Sequence, residues 1–186
     1  MMNKDQDEIK KMLRAAGVPA SYCVPKKWTE LGDGAVIISN WLKNDGLAAL
    51  QDGKVMLLEV PLTPSMKPDK AIEQAENIRW TYNLCHAYAI LNKLPTSRFD
   101  AWELREDVKW EALEESSIIF VEGVYSRGST GFTPEQRRTI EFFLKTALER
   151  NIGLVILQDR ANSGNSWEGF SQSFEALIRS RIAILV

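Results

Sequence analysis

Histidine occurs once in this chain of 186 residues, as His86, and cysteine twice, as Cys23 and Cys85. The cysteines lie far apart with no metal-ligand spacing, which argues against a disulfide framework or a zinc site. Cys85-His86 falls inside a helical pattern and reads as core filling beside a satisfied histidine. Basic excess is missing too. Lys and Arg number 23 against 25 Asp and Glu, for a formal net charge of −2, so the footprint of a dedicated nucleic-acid binder is not there. No apolar run approaches membrane-spanning length, and Met1-Met2-Asn3-Lys4-Asp5 carries no signal-peptide core. The expectation is a cytoplasmic protein that binds neither membrane nor, by itself, nucleic acid strongly. Internal repeats and low-complexity tracts are also lacking.

What is present is ordinary globular composition, 45% hydrophobic and 26% charged, in a length that suits one domain with an arm. The run Ile118-Ile119-Phe120-Val121-Glu122-Gly123 fits a strand buried on both faces of a parallel sheet, with an acid at its carboxyl end. Open α/β sheets place their ligand crevice at such ends. Val55–Val60, Arg98–Trp102, Leu154–Leu157 and a last buried run at Ile182–Leu185 complete five expected strands, with the Val55, Ile118 and Leu154 strands as central neighbours.

Helices are expected between them. Ile9, Met12, Leu13 and Ala16 stripe a short amphipathic helix that Gly17-Val18-Pro19 stops. Ala35–Ala49 offers Val36, Ile37, Leu42 and Leu47 to the core. Asp69 caps a long helix to about Asn92 whose inner face is Ile72, Ala75, Ile78, Tyr82 and Cys85. Glu103–Glu114 reads as polar helix. Thr133-Pro134-Glu135-Gln136 is a capping box with proline at the first helical position, before a stripe of Ile140, Phe143, Leu144, Ala147 and Leu148. Phe170, Phe174, Leu177 and Ile178 mark one more helix. Alternating strands and helices imply an α/β fold, a three-layer parallel five-stranded sheet with helices on both faces.

Taken in order, these segments resemble the AAA+ ATPases, and among them the replicative-helicase loaders of the DnaC/DnaI type and the related transposition helper ATPases. Ala16-Gly17-Val18-Pro19 looks like the segment that precedes the ATPase core in those loaders, and Gly53–Leu58 like their first core strand. Ile119–Gly123 matches the Walker B strand, Val155–Arg160 the sensor-1 strand, and Ala176–Ile182 the box with the arginine finger. The resemblance implies residues 1–52 as an arm and helical lead-in, residues 53–186 as a P-loop NTPase-like core, and no C-terminal lid domain.

The nucleotide motifs depart from that pattern. A Walker A loop needs glycines for backbone wrapping of phosphate, then Lys and Ser/Thr. Here Val60-Pro61-Leu62-Thr63-Pro64-Ser65-Met66-Lys67 has no glycine, and Met66 falls where the lysine belongs. Pro64 and Pro68 lack N–H donors. Glu122 takes the magnesium-binding position, Gly123 replaces the acid that polarises water, and Asp159 stands for the commoner sensor Asn. Glu122 is expected to accept backbone N–H bonds or pair with Arg127 rather than hold metal, and Lys67 to be a solvated loop lysine. Arg179 and Arg181 suit a helix carboxyl terminus.

The leading expectation is a non-hydrolysing AAA+-like adaptor or regulator in DNA replication, from a phage or mobile element. Its partner would be a protein such as a replicative helicase or a AAA+ subunit, with no metal and no cofactor. Its contact surfaces would be the arm around Ile9, Met12 and Leu13 and the face near Trp102–Trp110. One rival is an ATP- and magnesium-binding ATPase with an atypical phosphate loop on Thr63, Ser65 and Lys67. A second is a subunit that donates Arg181 to a hetero-oligomeric ATPase.

Overall fold

In the computed structural model the described residues are 2–24, 26–60, 67–124, 132–159, 167 and 169–186. Five strands, β1 (Val55–Val60), β2 (Thr96–Asp100), β3 (Ile118–Glu122), β4 (Gly153–Asp159) and β5 (Ile182–Leu185), form one all-parallel sheet in the order β2-β3-β4-β1-β5. The Val55, Ile118 and Leu154 strands are the expected central neighbours. Their uninterrupted apolar runs suit burial on both faces, and Val55–Leu58 and Ile118–Val121 are buried throughout.

Side-chain alternation divides the core between the two faces. One face carries Val55, Leu57, Ile119, Val121, Leu154 and Ile156 against α7 (Pro134–Glu149) and α8 (Gln172–Arg181). The other carries Met56, Leu58, Ile118, Phe120, Val155 and Leu157 beneath a long helix, Pro68–Leu91, and beneath Ile38, Leu42 and Leu50 of the lead-in. The fold is therefore three-layer α/β, a parallel five-stranded sheet with helices on both faces. The helices before Pro68 are α1 (Met2–Ala15), α2 (Asp33–Trp41) and α3 (Leu47–Gln51), so the long helix is α4. No helix among the described residues is long and apolar enough to cross a membrane.

The capping box is present as expected: Gln136 N–H donates to Thr133 Oγ1 and Thr133 N–H to Gln136 Oε1, and the whole stripe of α7 is buried. Other expectations need correction. β5 is an edge strand with alternating burial, since only β1 pairs with it. β2 ends at Asp100, whose carboxylate accepts from Trp102 N–H and starts α5 (Ala101–Leu104) two residues early. The expected helix Glu103–Glu114 is instead α5 followed, after a non-helical link, by α6 (Trp110–Glu115). Leu104 and Leu113 both enter the same core. On one unbroken helix, positions nine apart would face opposite ways.

The lead-in differs for a related reason. A π-helical turn, Leu42–Gly46, separates α2 from α3. In an unbroken α-helix Leu50 would lie roughly 120° around from Ile38; the wider turn brings both onto the sheet. Ile38 rather than Ile37 is therefore the core residue, and Ile37 is 57% exposed. Lys67, not Asp69, holds the N-cap position of α4, because Pro68 at the first helical position needs no N–H partner. Ile72 is exposed rather than core. In α1, Leu13 is buried with Val18, Cys23 and Ala87, while Ile9 and Met12 are exposed.

The register correction has a direct test in urea unfolding. Ile38→Ala is expected to cost about 2–4 kcal/mol, the range for truncating a fully buried aliphatic side chain. Ile37→Ala should stay within about 0.5 kcal/mol.

Candidate functional site

The carboxyl ends of parallel strands lie at one edge of the sheet, and the register determines which side chains meet there. Asp100 pairs with Glu122, Glu122 with Leu157, and Val60 with Asp159. Phe120 and Leu157 pack towards α4, so Glu122 and Asp159, two residues further along, project from that same face. With Val60, Arg79, Asp100, Trp102 and Gly123 they line a cavity of about 180 Å³. Sequence reasoning placed Glu122 and Asp159 at strand ends, and the structure brings them into one cavity with Asp100, which it had missed.

Glu122 is not a free carboxylate. Arg98, on the adjacent strand, donates to Glu122 Oε1 from Nη2 at 2.8 Å and from Nε at 3.2 Å, and its Nη1 donates to Asn83 Oδ1 at 2.6 Å. The guanidinium carbon lies 5.0 Å from the centre of the Tyr82 ring. Asn83 in turn donates to the Arg79 carbonyl at 2.8 Å. The Arg98 side chain is 9% exposed and that of Glu122 33%. Arg127, the partner expected for Glu122, lies outside the described residues; Arg98 is the partner found. The available signal was alternation along β2, which puts Arg98 on the same face as Asp100, but it identifies a pair only once β2 is set beside β3.

Asp100 has its carboxyl pKa raised above the usual range, chiefly by burial and further by Glu122 and Glu103, while the Trp102 N–H pulls it down. Gly123 adopts φ 74°, and a β-carbon there would sit 3.6 Å from Asp100 Oδ2. A glutamate at that position would combine left-handed backbone with a neighbouring carboxylate, and is disfavoured twice over.

The other expected site residues do not join this cavity. Thr63, Ser65 and Met66 lie outside the described residues. Lys67 is exposed at the start of α4. Arg181 ends α8 directly before β5, and the pairing of Ile182 with Val55 puts it at the amino edge of the sheet, opposite Glu122. Arg179 pairs with Glu175 at 2.9 Å. Among the described residues no group of three or more His, Cys, Asp or Glu is arranged to hold a metal ion.

Nor does α4 offer its amino terminus to the cavity. Arg79 lines the cavity, eleven residues after the helix begins at Pro68. At 1.5 Å rise per residue, the free N–H groups of the first turn, on residues 69–71, lie about 12–15 Å along the axis from the Arg79 backbone. Phosphate is favoured beside such donors, and residues 61–66, which lead into this helix, lie outside the described residues.

His86 belongs to the core beneath this edge. It is buried, stacks on Phe120 at 4.3 Å between ring centres, and shares a 3.1 Å hydrogen bond between Nε2 and Thr96 Oγ1. Burial, then the Arg98 charge, lowers its pKa from 6.5 to about 3. The neighbouring Cys85 thiol is pushed up by burial.

Two outcomes follow. Because the folded pKa of His86 lies below the unfolded one, its contribution is present above pH 6.5 and is lost as pH falls towards about 3. His86→Gln should flatten that part of the stability–pH curve, measured by urea unfolding at a series of pH values. Arg98→Leu should cost about 2 kcal/mol, below the range for fully buried pairs because Glu122 is partly solvated.

No protein-family model matches the chain, and no curated protein matches it. Among solved structures it is similar to a DNA replication initiation factor, at 16% identity and a TM-score of 0.47, over 83% of this chain and 46% of that one. It is also similar to a chain of the HORMA:CdnC:Trip13 complex of E. coli MS115-1, at 12% identity and a TM-score of 0.36, over 100% of this chain and 62% of that one. The chain thus spans less than half of the first structure's length and under two thirds of the second's.

Proposed function

We propose that this chain is a non-hydrolysing AAA+-like protein, related to the helicase loaders, that acts as a protein-binding adaptor or regulator in DNA replication. The observation that carries the proposal is the Arg98–Glu122 pair. Glu122 is the acid that matches the magnesium-binding position, and its charge is balanced from within by a guanidinium that Asn83 and Tyr82 hold in place. A cation with two positive charges would have to displace or face that guanidinium across a few ångströms, against Coulomb repulsion.

Three further features support the reading. The sequence from Pro61 to Pro68 has no glycine. No residue of the first turn of α4 lines the cavity that holds Glu122 and Asp159. Gly123 occupies the place of the water-polarising acid in a backbone conformation that suits glycine. Phosphoryl transfer rests almost wholly on positioning and charge neutralisation, and each of these features removes part of one or the other. The replication role rests on the resemblance of the ordered segments from Ala16-Gly17-Val18-Pro19 to Ala176–Ile182, together with the placement of β1, β4 and β3 side by side. The expected partner is a replicative helicase or a AAA+ subunit, with no nucleotide or metal cofactor.

A thermal-shift titration with ATP and magnesium tests the proposal. A ligand at a hundred times its dissociation constant stabilises by about 2.7 kcal/mol, readily seen as a rise in Tm. The expected result is an unchanged Tm at millimolar ATP with magnesium. A clear magnesium-dependent rise would overturn it in favour of an ATPase with an unorthodox phosphate loop.

A further inference from the structure

The amphipathic arm is only partly used by its own fold. Between α1, the segment after Tyr22 and the second half of α4 runs a trough of about 270 Å³. Its floor is the small satellite core of Leu13, Cys23 and Ala87. Its walls include Ile9, Val24 and Leu91, each exposed, Leu91 by 48%. Met12, next to Leu13 on α1, is exposed as well. Apolar walls left open to water on a helix that already packs one residue inward are the form of a helix-in-groove site.

The charges name the occupant. Acids outnumber bases in the chain as a whole, yet among the described residues the charged groups lining the trough are Lys10 and Lys26, with no carboxylate. The Lys26 ammonium lies 4.7 Å from the centre of the Trp80 ring, which holds it at the rim.

We propose that this trough docks an amphipathic helix of another protein, one that presents apolar anchors one turn apart and flanks them with carboxylates. The anchors enter between α1 and α4 and the carboxylates meet Lys10 and Lys26. Complementary charge fixes orientation and speeds encounter, while the buried anchors supply most of the affinity. The inference rests on the protein-binding reading above and adds the place and the chemistry of the partner.

The test uses the full chain and two stapled helical peptides with identical leucine anchors at i, i+3, i+4 and i+7. One peptide carries flanking glutamates, the other flanking lysines, and binding is read by fluorescence anisotropy. The glutamate peptide is expected to bind about tenfold more tightly or better, as for two rim charge pairs turned from attraction to repulsion, and to weaken as salt is added. Leu91→Asp, at an exposed position, should abolish binding with Tm unchanged. Lys10→Glu with Lys26→Glu should reverse the preference between the peptides, a readout that a merely structural role would not move.

Equal binding of the two peptides, binding that survives Leu91→Asp, or no binding of either would overturn the proposal. So would self-association of the chain that Leu91→Asp dissolves, since a second copy would then be the occupant. The nucleotide titration is independent of these arms: with Tm unmoved by ATP, failure of the peptides removes the trough and leaves the adaptor reading standing.

Discussion

The Arg98–Glu122 ion pair is the interaction on which the functional edge of the sheet depends. A carboxylate at the end of a buried strand cannot remain uncompensated at low cost. In a magnesium-dependent phosphoryl-transfer site that compensation is the task of a bound metal. Here it comes from the next strand, and the guanidinium that supplies it is in turn oriented by Asn83 and the Tyr82 ring. The Glu122 charge is thereby balanced by a side chain of the protein itself. Asp100 and the left-handed Gly123 lie against the same pair, so a change in its charge would be felt by the whole cavity.

The length of α4 follows the same logic. Its second half, from Tyr82 to Ala89, packs on the sheet, and its first turns run on past the cavity with Ile72 exposed. A helix whose amino terminus must cradle phosphate has to begin at the strand end. This helix begins at Pro68, eleven residues before Arg79. Its early turns instead wall a larger cavity of about 680 Å³ with Leu31–Ala35 and the end of the sheet. The lead-in is joined firmly to the same layer: Ile38, Leu42 and Leu50 share one core with Phe120 and Leu157, and a side chain at Gly153 would run into the Leu50 carbonyl.

How much of this was legible in the sequence depended on how local each signal was. Ile118–Val121, Val55–Leu58 and the Thr133–Gln136 capping box are local statements, and the strands and α7 formed where they pointed. Ile37 was assigned to the core in the place that Ile38 holds, because a π turn resets helical phase at a position that no residue preference marks. Glu103–Glu114 was mis-read because Leu104 and Leu113 need the same side of the molecule, which only the tertiary fold reveals. The candidate site was half visible. Glu122 and Asp159 are strand-end acids in sequence, but Arg98 becomes the partner of Glu122 only through the register of β2 on β3 and the approach of Asn83 from α4.

The central claim is that a guanidinium stands where a metal ion would otherwise balance Glu122. The most direct measurement is carbon-13 NMR of the glutamate carboxylates, with the Glu122 signal assigned from Glu122→Gln, during titration with paramagnetic manganese. The account predicts that Glu122 broadens no more than surface glutamates in the wild-type chain, because Arg98 already occupies its oxygen. Selective broadening of Glu122 at low manganese, with Arg98 intact, would contradict it.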